Sequence, residues 1–196
     1  MSNVTPSLEI HPLKPFLPNN AKVLLLGSFP PQQKRWSINF FYPNFQNDMW
    51  RIMGILFFAD KDIFVDHKNK CFRQKEIETF ATEAGIAFYD TGEVVQRLKD
   101  NASDNFLRIV QPTNLEKLIL QLPHCQTIAT TGEKATNEIL TQYSAQKPKI
   151  GETTTLQIGE RQITLYRMPS TSRAYPLPIK QKAIFYHNMF QDLEML

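Results

Sequence analysis

The sequence predicts an α/β fold, a three-layer αβα sandwich around a central, mainly parallel four-stranded sheet. Three observations predict it: short strand-like runs at 22–26, 86–89 and 126–130, the first two nearly all apolar; helix-period stretches between them; and two extended segments, 153–157 and 161–166, before a final helix. A short run that is apolar at nearly every position fits a strand covered on both faces, as in parallel sheets with helical crossovers. Strands that alternate with helices build such a sheet.

The first twenty residues, MSNVTPSLEIHPLKPFLPNN, are dotted with prolines and read as an irregular arm, leaving 21–196 as a single domain. KVLLL at 22–26 is the first buried strand, ended abruptly by Gly27-Ser28-Phe29-Pro30-Pro31. Asn47-Asp48 opens a helix with Met49, Trp50, Ile52, Met53, Leu56 and Phe57 at helical spacing. Scattered charge makes 63–73 a loop, and 74–83 is a helix with Gly85 as its terminator. IAFY at 86–89 is the second strand, and 93–98 reads as a short helix. A helix at 115–122 stops at Pro123, the third strand is 126–130, and 132–143 is a further helix with small residues at its start. Gly159-Glu160 makes 153–157 and 161–166 a hairpin or a strand with a short feeder, and 181–195 is a closing amphipathic helix.

The 196 residues, 42% of them hydrophobic, suffice for one substantial core. A net charge of +3 and a pI near 8.8 are compatible with a polyanionic partner without demanding one. Cys71 and Cys125 are too few for a tetrathiolate zinc site or a four-cysteine iron–sulfur cluster, and point to a reducing, cytoplasmic location. His11, His67, His124 and His187 show no metal-ligand spacing, so neither metal nor cofactor is expected. The first residues lack the basic and apolar regions of a signal peptide, and no apolar run approaches membrane-spanning length.

Open parallel sheets bind ligands beyond the carboxyl ends of their strands, where three unusual stretches fall. GSFPP at 27–31 lacks the lysine of a phosphate-binding loop and the glycine spacing of a dinucleotide site. It is either a rigid turn whose amides face a small ligand or simply a tight strand exit. NFFYPNFQNDMW at 39–50 sets rings beside amides, as a nucleobase requires: aromatics stack on its face and amides read its edge. Alternatively Phe40, Phe41 and Phe45 are core residues and Asn47 caps the helix. PSTS at 169–172, followed by Arg173, offers hydroxyls and a cation to phosphate oxygens, or forms an ordinary hydroxyl-stabilised turn.

The set GSFPP, FYPNFQNDMWRIMG and MPSTSRA resembles the uracil-DNA glycosylase superfamily, nearest the mismatch-specific thymine/uracil glycosylases and the hypoxanthine-DNA glycosylase branch. Residues 27–31 match the loop after strand one, Tyr42 the base-stacking aromatic, NDMW at 47–50 the helix start, and 168–172 the late loop that enters the minor groove. GIAFYDTGEVVQR and TIATTGEKA are similar to the second and third strand regions, so the likeness spans 22 to 176. Phe29 stands where the mismatch-specific members carry Asn and the main uracil family Asp; the hypoxanthine branch is apolar there and relies on the residue matching Asn47.

The resemblance implies a monofunctional, monomeric DNA glycosylase that removes uracil or hypoxanthine from double-stranded DNA after base flipping. Asn47 is the implied catalytic donor. Gly27, Ser28, Phe29, Pro30, Phe41, Tyr42 and Asn44 are implied in substrate binding, and Ser170, Thr171, Ser172 and Arg173 in DNA binding, with Arg173 as a wedge. Asp90 is either a substitute carboxylate or a turn cap. A non-catalytic binder of damaged DNA is the alternative that Phe29 favours.

Overall fold

The computed structural model describes residues 8–98 and 106–196. The chain opens with β1 (Leu8–Ile10), β2 (Val23–Gly27), α1 (Met49–Phe58), and the two-residue strands β3 (Val65–Asp66) and β4 (Cys71–Phe72). It continues through α2 (Gln74–Ala84), β5 (Ile86–Asp90), β6 (Gly92–Arg97), β7 (Leu107–Pro112), α3 (Leu115–Leu120), β8 (Thr127–Thr131) and α4 (Glu133–Gln142). β9 (Thr153–Ile158), β10 (Arg161–Met168) and α5 (Ile179–Asp192) close it.

The central sheet runs β5-β2-β8-β10-β9. Its first four strands are parallel, and β9 lies antiparallel on β10 at the edge. The sheet is therefore five-stranded and mixed rather than four-stranded. The cause is local: Gly159, at φ 55°, turns the chain back, so of the two readings of 153–166 the hairpin holds and β9 adds a fifth strand beside β10. β2, β5 and β8 are buried at every position, so both of their faces are covered, whereas β9 alternates as an edge strand must.

Three local expectations fail because segments pair as strands, two of them with partners elsewhere in the chain and one with its own near neighbour. Residues 93–98, read as a helix, lie largely in β6, which pairs with β1 on one side and β7 on the other. Val94 and Val95 are β-branched, and Val95 is fully buried, so strand pairing wins over a weak helical period. The arm is not irregular throughout: β1 joins this second sheet, and Phe16 exchanges backbone hydrogen bonds with Phe88 at 3.0 and 2.9 Å. Residues 1–7 of the arm lie outside the described residues. Within the loop at 63–73, β3 and β4 form a small ladder.

One hydrophobic cluster extends from Ala21 to Phe190, with Trp50, Phe88, Tyr186 and Phe190 among its largest fully buried side chains. α1 packs on α5 through Phe57 and Phe190, whose ring centres lie 5.1 Å apart. Gly85, at φ 69°, terminates α2 as expected.

Arg161, at the start of β10, donates to the carbonyls of Ile119 (2.8 Å), Leu122 (3.0 Å) and Cys125, satisfying the end of α3. Arg161→Ala removes these charge-assisted hydrogen bonds, although Ile119 O and Leu122 O keep the amides of Leu122 and Cys125, and is expected to cost about 1–3 kcal/mol, read as a lower urea midpoint.

Candidate active site at the strand ends

The parallel strand order changes direction beside β2: the chain first steps outward to β5, then returns to β8 and β10 on the other side. Such a switch point leaves a crevice beyond the carboxyl ends of the two central strands. Gly27 and Asp90 are register partners there, and so are Met168 and Thr131.

The first loop is pinned from below by its carbonyls. Gly27 O accepts from the Thr91 amide at 2.9 Å, Ser28 O from the Gly92 amide at 3.1 Å, and Pro30 O from Arg97 at 3.2 Å. Arg97 is itself paired with Glu9 on β1 at 2.9 Å. Gly27 must be glycine for a steric reason: a Cβ there would stand 2.3 Å from Asp90 Oδ1. Ser28 and Pro30 are buried, and Phe29 is half-buried.

Tyr42 lies across the crevice. Its backbone takes φ 50°, a left-handed conformation rare outside glycine, and its hydroxyl meets Thr131 Oγ1 at 2.9 Å. Burial, then the charge of Asp90, push the phenol pKa far up, so Tyr42 stays protonated. Phe41 does not line a binding surface: it is 3% exposed and stacks on Phe88, supporting the site from inside the core. Phe40 is likewise core, and Phe45 lies under the Arg51 guanidinium, 4.6 Å from its ring centre.

Asn44 and Asn47 share one turn. Asn44 Oδ1 accepts from the Gln46 amide, and Asn44 O accepts from the Asn47 amide. Asn47 Oδ1 accepts from the Met49 amide at 2.9 Å, two residues on, an Asx turn just ahead of α1, whose N-cap is Asp48. That bond fixes which end of the side-chain amide is oxygen, and among the described residues the Nδ2 donor makes no hydrogen bond.

The late loop is stitched to this turn. Asn47 and Ser172 form an antiparallel bridge, and Thr171 O accepts from the Asp48 amide at 2.9 Å. Buried Asp48 pairs with Arg173 at 2.9 Å and with Lys182 at 3.1 Å; Lys182 also donates to Ser172 O at 2.7 Å. Arg173 donates further to Gln46 at 3.2 Å, so its head is tied back rather than projecting as a wedge. Thr171 is 2% exposed, so its hydroxyl is not offered to a ligand as the sequence reading required. Ser170, Ser172 and Arg173 remain accessible.

A cavity of about 500 Å³ opens at the start of α4, lined by Gly132, Asn137, Arg167, Ser170 and Tyr175 among others. Of the expected site residues only Ser170 reaches it, so it is a neighbouring groove that Tyr42 and Asn47 do not line. Among the described residues no group of three or more His, Cys, Asp or Glu side chains is arranged to hold a metal, and no helix is long and apolar enough to cross a membrane.

One residue escapes the sequence altogether. His11, with its side chain 2% exposed, reaches Asp90 Oδ2 through Nε2 at 2.8 Å. Phe29, Phe41 and Tyr89 surround its ring, with centres 5.1, 6.3 and 4.7 Å away. Nothing in the arm marks His11, because Asp90 is 79 positions away.

No protein-family model matches this chain, and no curated protein matches it. Among solved structures, the solution NMR structure of a “putative Uracil DNA glycosylase” from Methanosarcina acetivorans is similar in fold. It is 19% identical, with a TM-score of 0.57 over 92% of this chain and 96% of that one.

The Asp48 cluster yields a direct test of what holds the rim. Asp48→Asn leaves Lys182, 1% exposed, without its counter-charge, and is expected to cost about 3–5 kcal/mol. Replacing both partners, Asp48→Asn with Lys182→Met, should recover much of that loss in urea denaturation.

Proposed function

We propose that this chain is a monofunctional DNA glycosylase, acting as a monomer in the cytoplasm. It hydrolyses the N-glycosidic bond of a deaminated base, uracil or hypoxanthine, flipped out of double-stranded DNA. The observation that carries the reading is the bridge between Asn47 and Ser172. It joins an amide donor to a hydroxyl-rich loop on the rim where Gly27 and Tyr42 meet. The fold likeness and the motif order support the same reading.

In this mechanism the Tyr42 ring stacks on the flipped base and the 27–30 loop lines its edge and sugar. Flipping costs a few kcal/mol, least at the mismatches where deaminated bases arise. As the bond breaks, negative charge develops on the departing base, and a donor already aimed at it lowers the barrier. Asn47 Nδ2 suits that role, since its partner oxygen is held by the Met49 amide and no reorganisation is needed. A neutral amide is no proton acceptor, so Asn47 is not a general base. Ser170 and Ser172 contact the backbone beside the lesion, and Arg173 does so by exchanging Asp48 and Gln46 for phosphate. Thr171 contributes through its carbonyl, which holds the loop in place.

Duplexes carrying one uracil or one hypoxanthine, incubated with stoichiometric protein and then treated with alkali, are expected to be cleaved at the lesion. Asn47→Ala should slow single-turnover excision by on the order of a hundredfold to a thousandfold while the domain stays folded. No cleavage with any deaminated base overturns the catalytic reading. Tight lesion binding without an abasic product selects the non-catalytic binder instead.

A further inference from the structure

We propose that Asp90 is the carboxylate that activates water in this site, and that His11, delivered by the N-terminal arm, is the residue that positions it. The inference rests on the glycosylase reading and names the base which that reading leaves unassigned.

Asp90 is not the turn cap that its sequence context allows. The amides that a cap would take, those of Thr91 and Gly92, are bonded to the carbonyls of Gly27 and Ser28. Its own carbonyl is held by the Thr113 hydroxyl at 2.7 Å, so the residue is fixed at both ends. The carboxylate instead turns into the crevice. Oδ2 is held by His11, and Oδ1 lies over the bare Cα of Gly27, making no hydrogen bond among the described residues. Tyr42 Oη stands 3.8 Å from the position where a Gly27 Cβ would be, so phenol and carboxylate flank the same point at the mouth of the switch-point crevice. The side chain is 10% exposed, sheltered yet open to a water molecule.

His11 is built to hold that carboxylate. Leu13 presents both backbone groups to Nδ1: its amide at 3.1 Å, for a ring protonated only at Nε2, and its carbonyl at 2.9 Å, for a doubly protonated ring. The ring therefore keeps its orientation in either state. The apolar walls of Phe29, Phe41 and Tyr89 exclude competing water and strengthen the contact with Asp90.

The step balances as follows. The bond from sugar C1′ to the base nitrogen breaks, and its electron pair leaves with the base. The water oxygen bonds to C1′, and Asp90 Oδ1 takes the water proton. That proton returns through solvent to the base nitrogen, which regenerates the carboxylate. Before the proton moves, the negative charge of Asp90 also favours the cationic sugar.

The test is single-turnover excision from a uracil or hypoxanthine duplex, with duplex binding and thermal unfolding measured on the same samples. Asp90→Asn, isosteric but uncharged, is expected to slow excision by on the order of a hundredfold or more with binding unchanged. His11→Ala should slow it about tenfold to a hundredfold, again with binding unchanged, and His11→Gln, which keeps a donor in reach of Oδ2, should restore most of the rate. The double variant Asp90→Asn with His11→Ala should be no slower than Asp90→Asn alone, because the histidine acts through the carboxylate. Should Asp90→Asn fail to fold, the His11→Ala and His11→Gln pair decides: equal rates overturn the proposal. Wild-type excision matched by a folded Asp90→Asn overturns it while leaving the glycosylase reading intact. A wild type inactive on every lesion overturns both.

Discussion

The rim of this molecule depends on one buried carboxylate. Asp48 sits at the start of α1 and holds Arg173 and Lys182, residues 125 and 134 positions further along the chain. Two charges on one buried acid would be an expensive arrangement if any of the three were left alone. Held together, with one positive charge in excess, they fasten the late loop against the asparagine turn. The backbone follows the charges: the Thr171 carbonyl and the Asn47–Ser172 bridge complete a short ladder between the two segments. Without that joint, the Asn47 amide and the loop hydroxyls would have no common geometry.

A second constraint acts at the other side of the crevice. Glycine at position 27 lets the end of β5 press its carboxylate against the end of β2. The second sheet then secures this close approach, with β6 supplying Thr91 and Gly92 amides from its approach and Arg97 from its end. β1 is short, yet it carries the arm across the second sheet, places His11 on Asp90 and pairs Glu9 with Arg97. The arm is thus part of the site rather than a leader to it.

Much of the fold was legible because burial leaves a local record. β2 and β5 read as apolar runs since both faces of each are covered, and Gly85 read as a helix stop because a left-handed residue ends α2. β6 left no such record. Its pattern is buried at Gly92 and Val95 only, a spacing of three that mimics a helix turn, and a bulge beside Val94 produces it. The rings at 39–50 divided in the same way: composition marked the stretch, but only packing separated core Phe40 and Phe41 from Tyr42 on the crevice.

By itself, then, the chain of residues determined the strand-and-helix alternation, the rim on which the unusual segments gather, and the glycine, asparagine and hydroxyl types found there. These follow from periodicity and side-chain chemistry, which act over a few neighbouring positions. Tertiary structure alone decided that Arg173 is tied down, that Thr171 is enclosed and that His11 stands on Asp90. Each of those outcomes is a meeting between segments far apart in the chain, and no local pattern encodes a partner that distance away.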